Sequence, residues 1–298
     1  MLLEDAVREY IYEIQCRNYT KRTIKGYKNN LLKFTKHLTV EQQIEELEEI
    51  RPQHIKEYLN QLKARGLSTT YINTILKNIR SFYKYCYQEG YSGNVASKIG
   101  WLKEEKPLIK SFSDEQIKKM LNYYKGNSFR EIRNKAIISM LVDTGLRNSE
   151  LCALRIGDVR ETVVFVRGKG RKERIVPISP QLKKLLIKYE RVREGYLKDN
   201  ILHYDNYFLS YRCRPLTVEG IERIVKICGE GIKGIRVSPH TIRHYYAQAQ
   251  LRNGLDVYSL SRLLGHSTID ITKIYLQSIQ DESIIELSRK TSPLSNIK

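Results

Sequence analysis

The sequence predicts a mainly α protein with a small β-sheet, built as a helical first unit followed by a mixed, largely helical second unit. Three observations carry this. Over the first hundred residues, apolar side chains recur three or four apart, in stripes that each occupy one helix face. Between 162 and 178 that period gives way to two β-branched runs joined by a Gly-Lys-Gly-Arg turn, a hairpin signature. At 100–110, "GWLKEEKPLIK" is charged, carries Pro107 and sustains neither period.

Residues 3–16 read as the first helix. "TKRTIKGYKNNLLKFTKHL" (20–38) then places Ile24, Tyr27, Leu31, Phe34 and Leu38 on a single face. "IRPQHIKEYLNQLKARG" (50–66) has Pro52 in a first turn, where no N–H is needed, and Gly66 as its stop. "LSTTYINTILKNIRSFYKYCYQEG" (67–90) opens on Ser/Thr caps, aligns Ile72, Ile75, Leu76, Ile79, Phe82, Tyr83 and Cys86, and ends on Gly90. These four helices define a domain over 1–100, with 101–111 as linker and 112–298 as the second domain. "SFSDEQIKKML" (111–121) starts that domain with a Ser113-x-x-Gln116 capping box. The hairpin follows at 162–178, and "NYFLS" (206–210) is expected to add a strand. The remainder, from "SPQLKKLLIKY" through "ESIIELSRK", reads as mostly helical.

Charge narrows the partner. There are 52 Lys+Arg against 33 Asp+Glu, a net +19, with a pI near 9.6. The surplus is +6 over residues 1–110 and +13 over 111–298, so both halves suit one long anion, more naturally a duplex than a small ligand. In the first domain, Lys21, Arg22, Lys25, Lys28, Lys77, Arg80 and Lys84 stand off the apolar stripes, as either a solvated face or a DNA-contacting one. No apolar run approaches the roughly 20 residues that span a bilayer, and "MLLEDAVREY" carries acids where a secretory signal needs a basic start. Five scattered cysteines without a CxxC pair argue against disulfides and cysteine zinc sites, and fit a reducing cytoplasm.

Four segments offer chemistry. In "TGLRNSEL" (144–151), Gly145 ends one helical pattern and Arg147 begins another, so its guanidinium sits by a turn where a phosphate's oxygens can be gripped. Glu150, one turn on, can hold that guanidinium; a plain surface ion pair is the alternative. In "RGKGRKERIVPI", Lys169 lies between two glycines at a narrow cationic tip, with Arg171 and Lys172 beside it. Such a tip can enter a DNA groove and deliver an ammonium to a leaving alkoxide, from Lys169 or from Lys172, or it can be a solvated turn. In "HTIRH" (240–244), His240 and Arg243 share a helix face just past Ser238 and Pro239, a helix N-terminus that attracts anions. His244 is i+4 from His240, but no carboxylate or cysteine at ligand spacing completes a metal site. In "LLGHSTIDITKIY", Gly265 breaks a helix, Ser267-x-x-Asp270 is expected to cap the next, His266 lies at the junction and Tyr275 about two turns on.

Together these parts describe a reaction. A tyrosine phenol attacks a phosphodiester in line and becomes joined to it. Two arginines neutralise the equatorial oxygens in the transition state. Lysine gives a proton to the departing hydroxyl, and histidine handles the proton on the nucleophile. The scheme needs neither metal nor other cofactor, and the sequence has no acidic cluster of the two-metal kind.

At this point the chain resembles the tyrosine recombinase (phage integrase) family in its short, Xer-like form. "TGLRNSEL", "GKGRKERIVPI", "SPHTIRH" and "LLGHSTIDITKIY" occur in that order, with "TKRTIKGYKNNLLKFTKHL" and "LSTTYINTILKNIRSFYKYC" in a SAM-like core-binding domain. The resemblance implies catalytic roles for Arg147, Lys169, His240, Arg243, His266 and Tyr275, favours Lys169 over Lys172, and leaves His244 to packing. DNA contacts are expected from Lys21, Arg22, Lys25, Lys77, Arg80, Lys84, Arg171 and Lys172. It further implies a clamp on duplex DNA core sites, a homotetramer on two sites, a 3′-phosphotyrosine with a free 5′-hydroxyl, and a Holliday junction. The tail after Tyr275, with Ile284, Ile285 and Leu287, is expected to dock on a neighbouring protomer as an exchanged helix. A related recombinase or an accessory protein is a candidate partner, and the expected place is the nucleoid-associated cytoplasm.

The sequence departs from the family pattern in "YSGNVASKIG", which lacks the Asn-Pro often found at the end of the clamp domain, and in Leu-Gln after Tyr275. A start directly on the clamp domain is expected to go with short, simple core sites. A type IB topoisomerase shares the same constellation and is the nearer rival. A non-catalytic DNA-binding regulator fits the charge but gives no reason for six such residues.

Overall fold

Four apolar stripes need a common interior, and in the computed structural model they find one. The structure describes residues 1–104, 109–168, 173–198 and 204–276. The chain divides into two units, Met1–Lys106 and Pro107–Lys298, each with its own core.

The first unit contains α1 (Leu3–Cys16), α2 (Lys21–Lys36), α3 (Pro52–Ala64) and α4 (Thr69–Gln88). Thr20 and Ser68 cap α2 and α4 by accepting from the backbone N–H three residues on. Leu31, Phe34, Ile55, Leu76, Ile79, Phe82 and Tyr83 are buried together, so the predicted stripes do face one core. The second helix ends sooner than its pattern, because residues His37–Glu41 widen into a π-turn that still buries Leu38. Residues 101–104 pack back on α4: Asn73 donates to the Leu102 carbonyl and accepts from the Leu102 N–H, at 2.9 and 3.0 Å.

The second unit runs α5 (Asp114–Leu121), α6 (Phe129–Thr144), α7 (Asn148–Ala153), β1 (Val163–Arg167), β2 (Glu173–Pro177), α8 (Pro180–Leu197), α9 (Val218–Cys228), α10 (Pro239–Arg252), α11 (Val257–Leu264) and the short α12 (Asp270–Lys273). The capping box forms as predicted, with Ser113 and Gln116 each accepting the other's backbone N–H. Helix α6 is buried nearly all round and packs between α8 and α10, the axis on which the unit is assembled. Strands β1 and β2 pair antiparallel with Val164 opposite Val176 and Val166 opposite Arg174. Val164, Val166 and Val176 face the core, while Phe165 and Ile175 face outward.

Two local expectations are corrected. Residues 206–210 form no strand. Tyr207, Phe208 and Leu209 are buried consecutively, and the segment makes only isolated bridges, Asn206 with Arg155 and Leu209 with Pro215. Their backbone groups are satisfied piecemeal instead: the Tyr207 N–H donates to the Leu154 carbonyl, Tyr189 and Arg193 donate to the Tyr207 carbonyl, and Arg133 donates to that of Leu209. Nor does Ser267 cap the last helix. Ile269 occupies the cap position of α12 without a side-chain bond.

Among the described residues, no helix is long and apolar enough to cross a membrane, and no group of three or more His, Cys, Asp or Glu side chains is placed to hold a metal ion.

Candidate active site

The site is organised by the C-terminal end of α11, where a helix leaves its last carbonyls without intrahelical partners. Three arginines from three elements take three consecutive ones. Arg174 donates to the Leu263 carbonyl at 2.7 Å, Arg243 to that of Leu264 at 2.7 Å, and Arg147 to that of Gly265 at 3.1 Å. The helix dipole places partial negative charge at this spot, which favours all three cations. Gly265 makes the turn possible, because its φ of +62° is left-handed backbone.

Arg147 caps α7 at its N-terminus. Glu150 accepts from both the backbone N–H and Nη1 of Arg147, at 2.8 Å each, so one carboxylate fixes the residue at two points. Burial works against charge on Glu150, yet the hydrogen bonds and charge of Arg174, with those of Arg147, bring its pKa down to about 2. The side chain of Arg147 is 41% exposed, so it still faces solvent.

Arg243 differs. It is 3% exposed and also donates to the Gly145 carbonyl at 2.6 Å. Burial first, then repulsion from Arg147, lowers its pKa to about 10, so it stays protonated at neutral pH. Its Nη2 lies 3.2 Å from Nε2 of His266, whose Nδ1 lies 2.7 Å from the Thr272 hydroxyl. A guanidinium can only donate, so His266 accepts at Nε2 and carries its proton at Nδ1. Burial and then the charge of Arg243 hold His266 down to about 4, in keeping with that neutral form.

Tyr275 is 2% exposed and belongs to a small cluster with Tyr246, Leu251, Leu260 and Leu264. Its hydroxyl lies 2.8 Å from Nδ1 of His244. The packing role expected for His244 is therefore corrected: its ring is the hydrogen-bond partner of the tyrosine. The i+4 spacing from His240 accounts only for the edge contact of the two rings, 4.2 Å between centroids, and carries no sign of the tyrosine. Burial and then the neighbouring His240 and Arg243 push His244 to about 4, so it is neutral at pH 7 and can accept from the phenol. Burial raises the Tyr275 pKa, with Arg243 and Arg147 pulling the other way. His240 is exposed at the start of α10, its pKa lowered by burial of part of its ring and then by Arg243.

Arg147, Arg243 and His266 thus share the end of α11, and Tyr275 is reached through His244, on the same helix as Arg243. Lys169, Arg171 and Lys172 lie outside the described residues, as does the tail with Ile284, Ile285 and Leu287. Lys21, Arg22, Lys25, Lys77 and Lys84 are exposed on α2 and α4. Arg80 is instead half-buried, donating to the carbonyls of Ser97 and Ile99 and stacking 4.9 Å over the ring of Trp101. No local pattern announces Arg174, which takes both oxygens of Glu150 at 2.8 Å each.

Comparison with known proteins agrees across the chain. The phage integrase family model matches residues 110–282, and the phage integrase N-terminal SAM-like domain matches residues 7–90. The tyrosine recombinase XerC of Thermodesulfovibrio yellowstonii is 31% identical, over 93% of this chain and 92% of its own. The tyrosine recombinase XerD of Oceanobacillus iheyensis is 32% identical, over 92% of this chain and 94% of its own. The same fold occurs in the XerH site-specific recombinase bound to a palindromic difH substrate, with a TM-score of 0.73 at 21% identity over 94% of this chain and 82% of that one. It occurs also in a lambda integrase dimer bound to a COC′ core site, with a TM-score of 0.74 at 17% identity over 91% and 97%. With both domain models matched in order and full-length relatives above 30% identity, the chain belongs to the phage integrase family of tyrosine recombinases.

Proposed function

We propose that this protein is a site-specific recombinase that cleaves and rejoins duplex DNA through a 3′-phosphotyrosine at Tyr275. The observation that carries the reading is the convergence of Arg147 and Arg243 on adjacent carbonyls, with Arg243 on the helix that holds the Tyr275 hydroxyl through His244. A phosphate entering beside the end of α11 meets two guanidinium groups at once, and these neutralise its non-bridging oxygens as charge builds in the transition state.

Tyr275 Oη attacks phosphorus, and its proton passes to the neutral His244, whose Nδ1 already partners it. The bond from phosphorus to the 5′ oxygen breaks, and Lys169 supplies that oxygen's proton. His240 donates to a phosphoryl oxygen, while His266, accepting from Arg243 at Nε2, holds that guanidinium in place beside the phosphate. Reversal by a 5′-hydroxyl from a second duplex completes strand transfer, and two such exchanges pass through a Holliday junction. The exposed lysines of α2 and α4 and the residues around Arg171 and Lys172 hold the DNA backbone. Four protomers on two core sites, linked by exchange of the tail, form the working assembly, which acts in the cytoplasm on integration, excision or dimer resolution.

The test is covalent capture. A pool of nicked duplexes with randomised half-sites, incubated with the protein, yields a protein–DNA adduct that Tyr275→Phe abolishes. An adduct that persists in Tyr275→Phe refutes the nucleophile. Relaxation of a single circle without exchange between two captured sites identifies a topoisomerase instead.

A further inference from the structure

We propose that Arg174 is a positioning residue for the Arg147–His266 side of the active site, an assignment that rests on the recombinase reading above. The alternation of β2 puts Arg174 on the same face as the buried Val176, where the pattern calls for an apolar side chain. An arginine placed there must find partners for its donors, because an unpaired buried charge is costly. It is 11% exposed, and it finds them in two places.

Its Nη1 and Nη2 donate to the two oxygens of Glu150, each at 2.8 Å, and its Nε donates to the Leu263 carbonyl at 2.7 Å. Each Glu150 oxygen also accepts once from Arg147, through Nη1 and the backbone N–H. Arg147 in turn reaches the Gly265 carbonyl through Nη2. The contacts close a ring: Arg174 to Glu150, Glu150 to Arg147, Arg147 to Gly265, and back through two residues of chain to Leu263 and Arg174. His266 follows directly on that ring.

Contact with the turn is steric as well as polar. A Cβ on Gly265 would lie 3.0 Å from Cδ of Arg174, so the stem of Arg174 packs flat against the turn that presents His266. Each of its three guanidinium nitrogens is committed to a protein acceptor, and this side chain does not itself grip the phosphate. Its work is to set the separation between Arg147 and His266. Only a planar fork can hold two carboxylate oxygens and a carbonyl together; an ammonium is a single point of charge.

The experiment uses the full chain and a site selected by covalent capture on the unaltered protein. Adduct formation is followed on a nicked duplex carrying either the ordinary phosphodiester or a methylphosphonate at the scissile position. The methylphosphonate lacks the charge that a well-placed Arg147 offsets. On the phosphodiester, Arg174→Gln is expected to slow adduct formation about 100-fold, as misplacement by an ångström does, and Arg174→Lys to recover only part of that. On the methylphosphonate the deficit of both variants shrinks to about 10-fold or less, since the guanidinium there has less charge to neutralise. DNA affinity stays within about 3-fold of the parent, because no phosphate contact is removed.

Equal slowing on the two substrates, or full activity of Arg174→Gln, overturns the assignment. Thermal melting of both variants accompanies the kinetics, and Arg174→Lys keeps the charge should Arg174→Gln fold poorly. If the unaltered protein forms no adduct on any captured site, the recombinase reading fails, and the role of Arg174 with it.

Discussion

His244 Nδ1 and the hydroxyl oxygen of Tyr275 lie 2.8 Å apart across a sequence separation of 31. A neutral imidazole with a pKa near 4 accepts a hydrogen bond well but takes a full proton reluctantly. The pair therefore holds the phenol protonated in the resting protein, and in the proposed reaction that proton passes to His244.

Replacing His244 tests this pairing. His244→Leu keeps the volume but removes the acceptor, and adduct formation at pH 7.5 is expected to fall by about 100-fold, the contribution typical of a positioned proton acceptor. DNA binding, read by fluorescence anisotropy, is expected to be unchanged. Cleavage at the parent rate would show that the proton leaves by another route.

Acid should weaken the fold in a defined window. His244 and His266 have pKa values of about 4 in the folded protein, below the ordinary 6.5. Between those values the unfolded chain binds protons that the folded one refuses, so stability falls as the pH drops through this range and levels off beneath it. Part of each ring is solvated, so the expected loss is on the order of 1–3 kcal/mol per histidine. Urea midpoints at pH 7.5 and 5.0 measure it, and a double His244→Leu/His266→Leu variant is expected to flatten the difference.

Glu150 works in the same direction at lower pH. Its pKa of about 2 lies below the ordinary 4.5, so its contribution is complete above that value and is lost as the pH falls toward 2. Glu150→Ala leaves Arg174 and Arg147 without their shared anion, and the expected cost is about 3–5 kcal/mol. Chemical denaturation reads the stability, and the loss of adduct formation is expected to exceed what the unfolded fraction explains.

Gly145 is predicted to tolerate no side chain. Its φ is +58°, and a Cβ would stand 2.3 Å from Cδ1 of Tyr246. Gly145→Ala must displace Tyr246 and with it the carbonyl that Arg243 holds. The expected destabilisation is about 2–4 kcal/mol, measured by the same denaturation.

The basic residues of the first unit should separate into two kinds. Lys21, Lys25, Lys77 and Lys84 are exposed; where one of them contacts phosphate, its alanine variant is expected to reduce the slope of log affinity against log salt by about 0.9. Arg80→Ala is expected to leave that slope alone and to lower the melting temperature instead, because its guanidinium is spent on Ser97, Ile99 and Trp101.

Much of this was legible in the residues. Period and caps placed the helices, since Thr20, Ser68 and Ser113 announce their own N-termini. Gly145 and Gly265 announced the turns beside Arg147 and His266. What escaped was long-range. Nothing local to 206–210 tells that Arg133, Tyr189 and Arg193 satisfy its backbone, so the apolar run alone suggests a strand. Nothing local to Arg174 tells that its carboxylate partner lies 24 positions away. The resemblance leaves His244 to packing, whereas its hydrogen bond goes to a tyrosine 31 positions on.

The three arginines on successive carbonyls at the end of α11 have one more implication. Clusters of positive charge built to grip an anion usually push against themselves until the anion comes. Here the backbone lends its own negative pole in the interim, and Glu150 adds a full charge. The cluster accordingly holds together without an anion, and on the proposed reading a phosphate at this spot enters a geometry already set rather than one it must assemble.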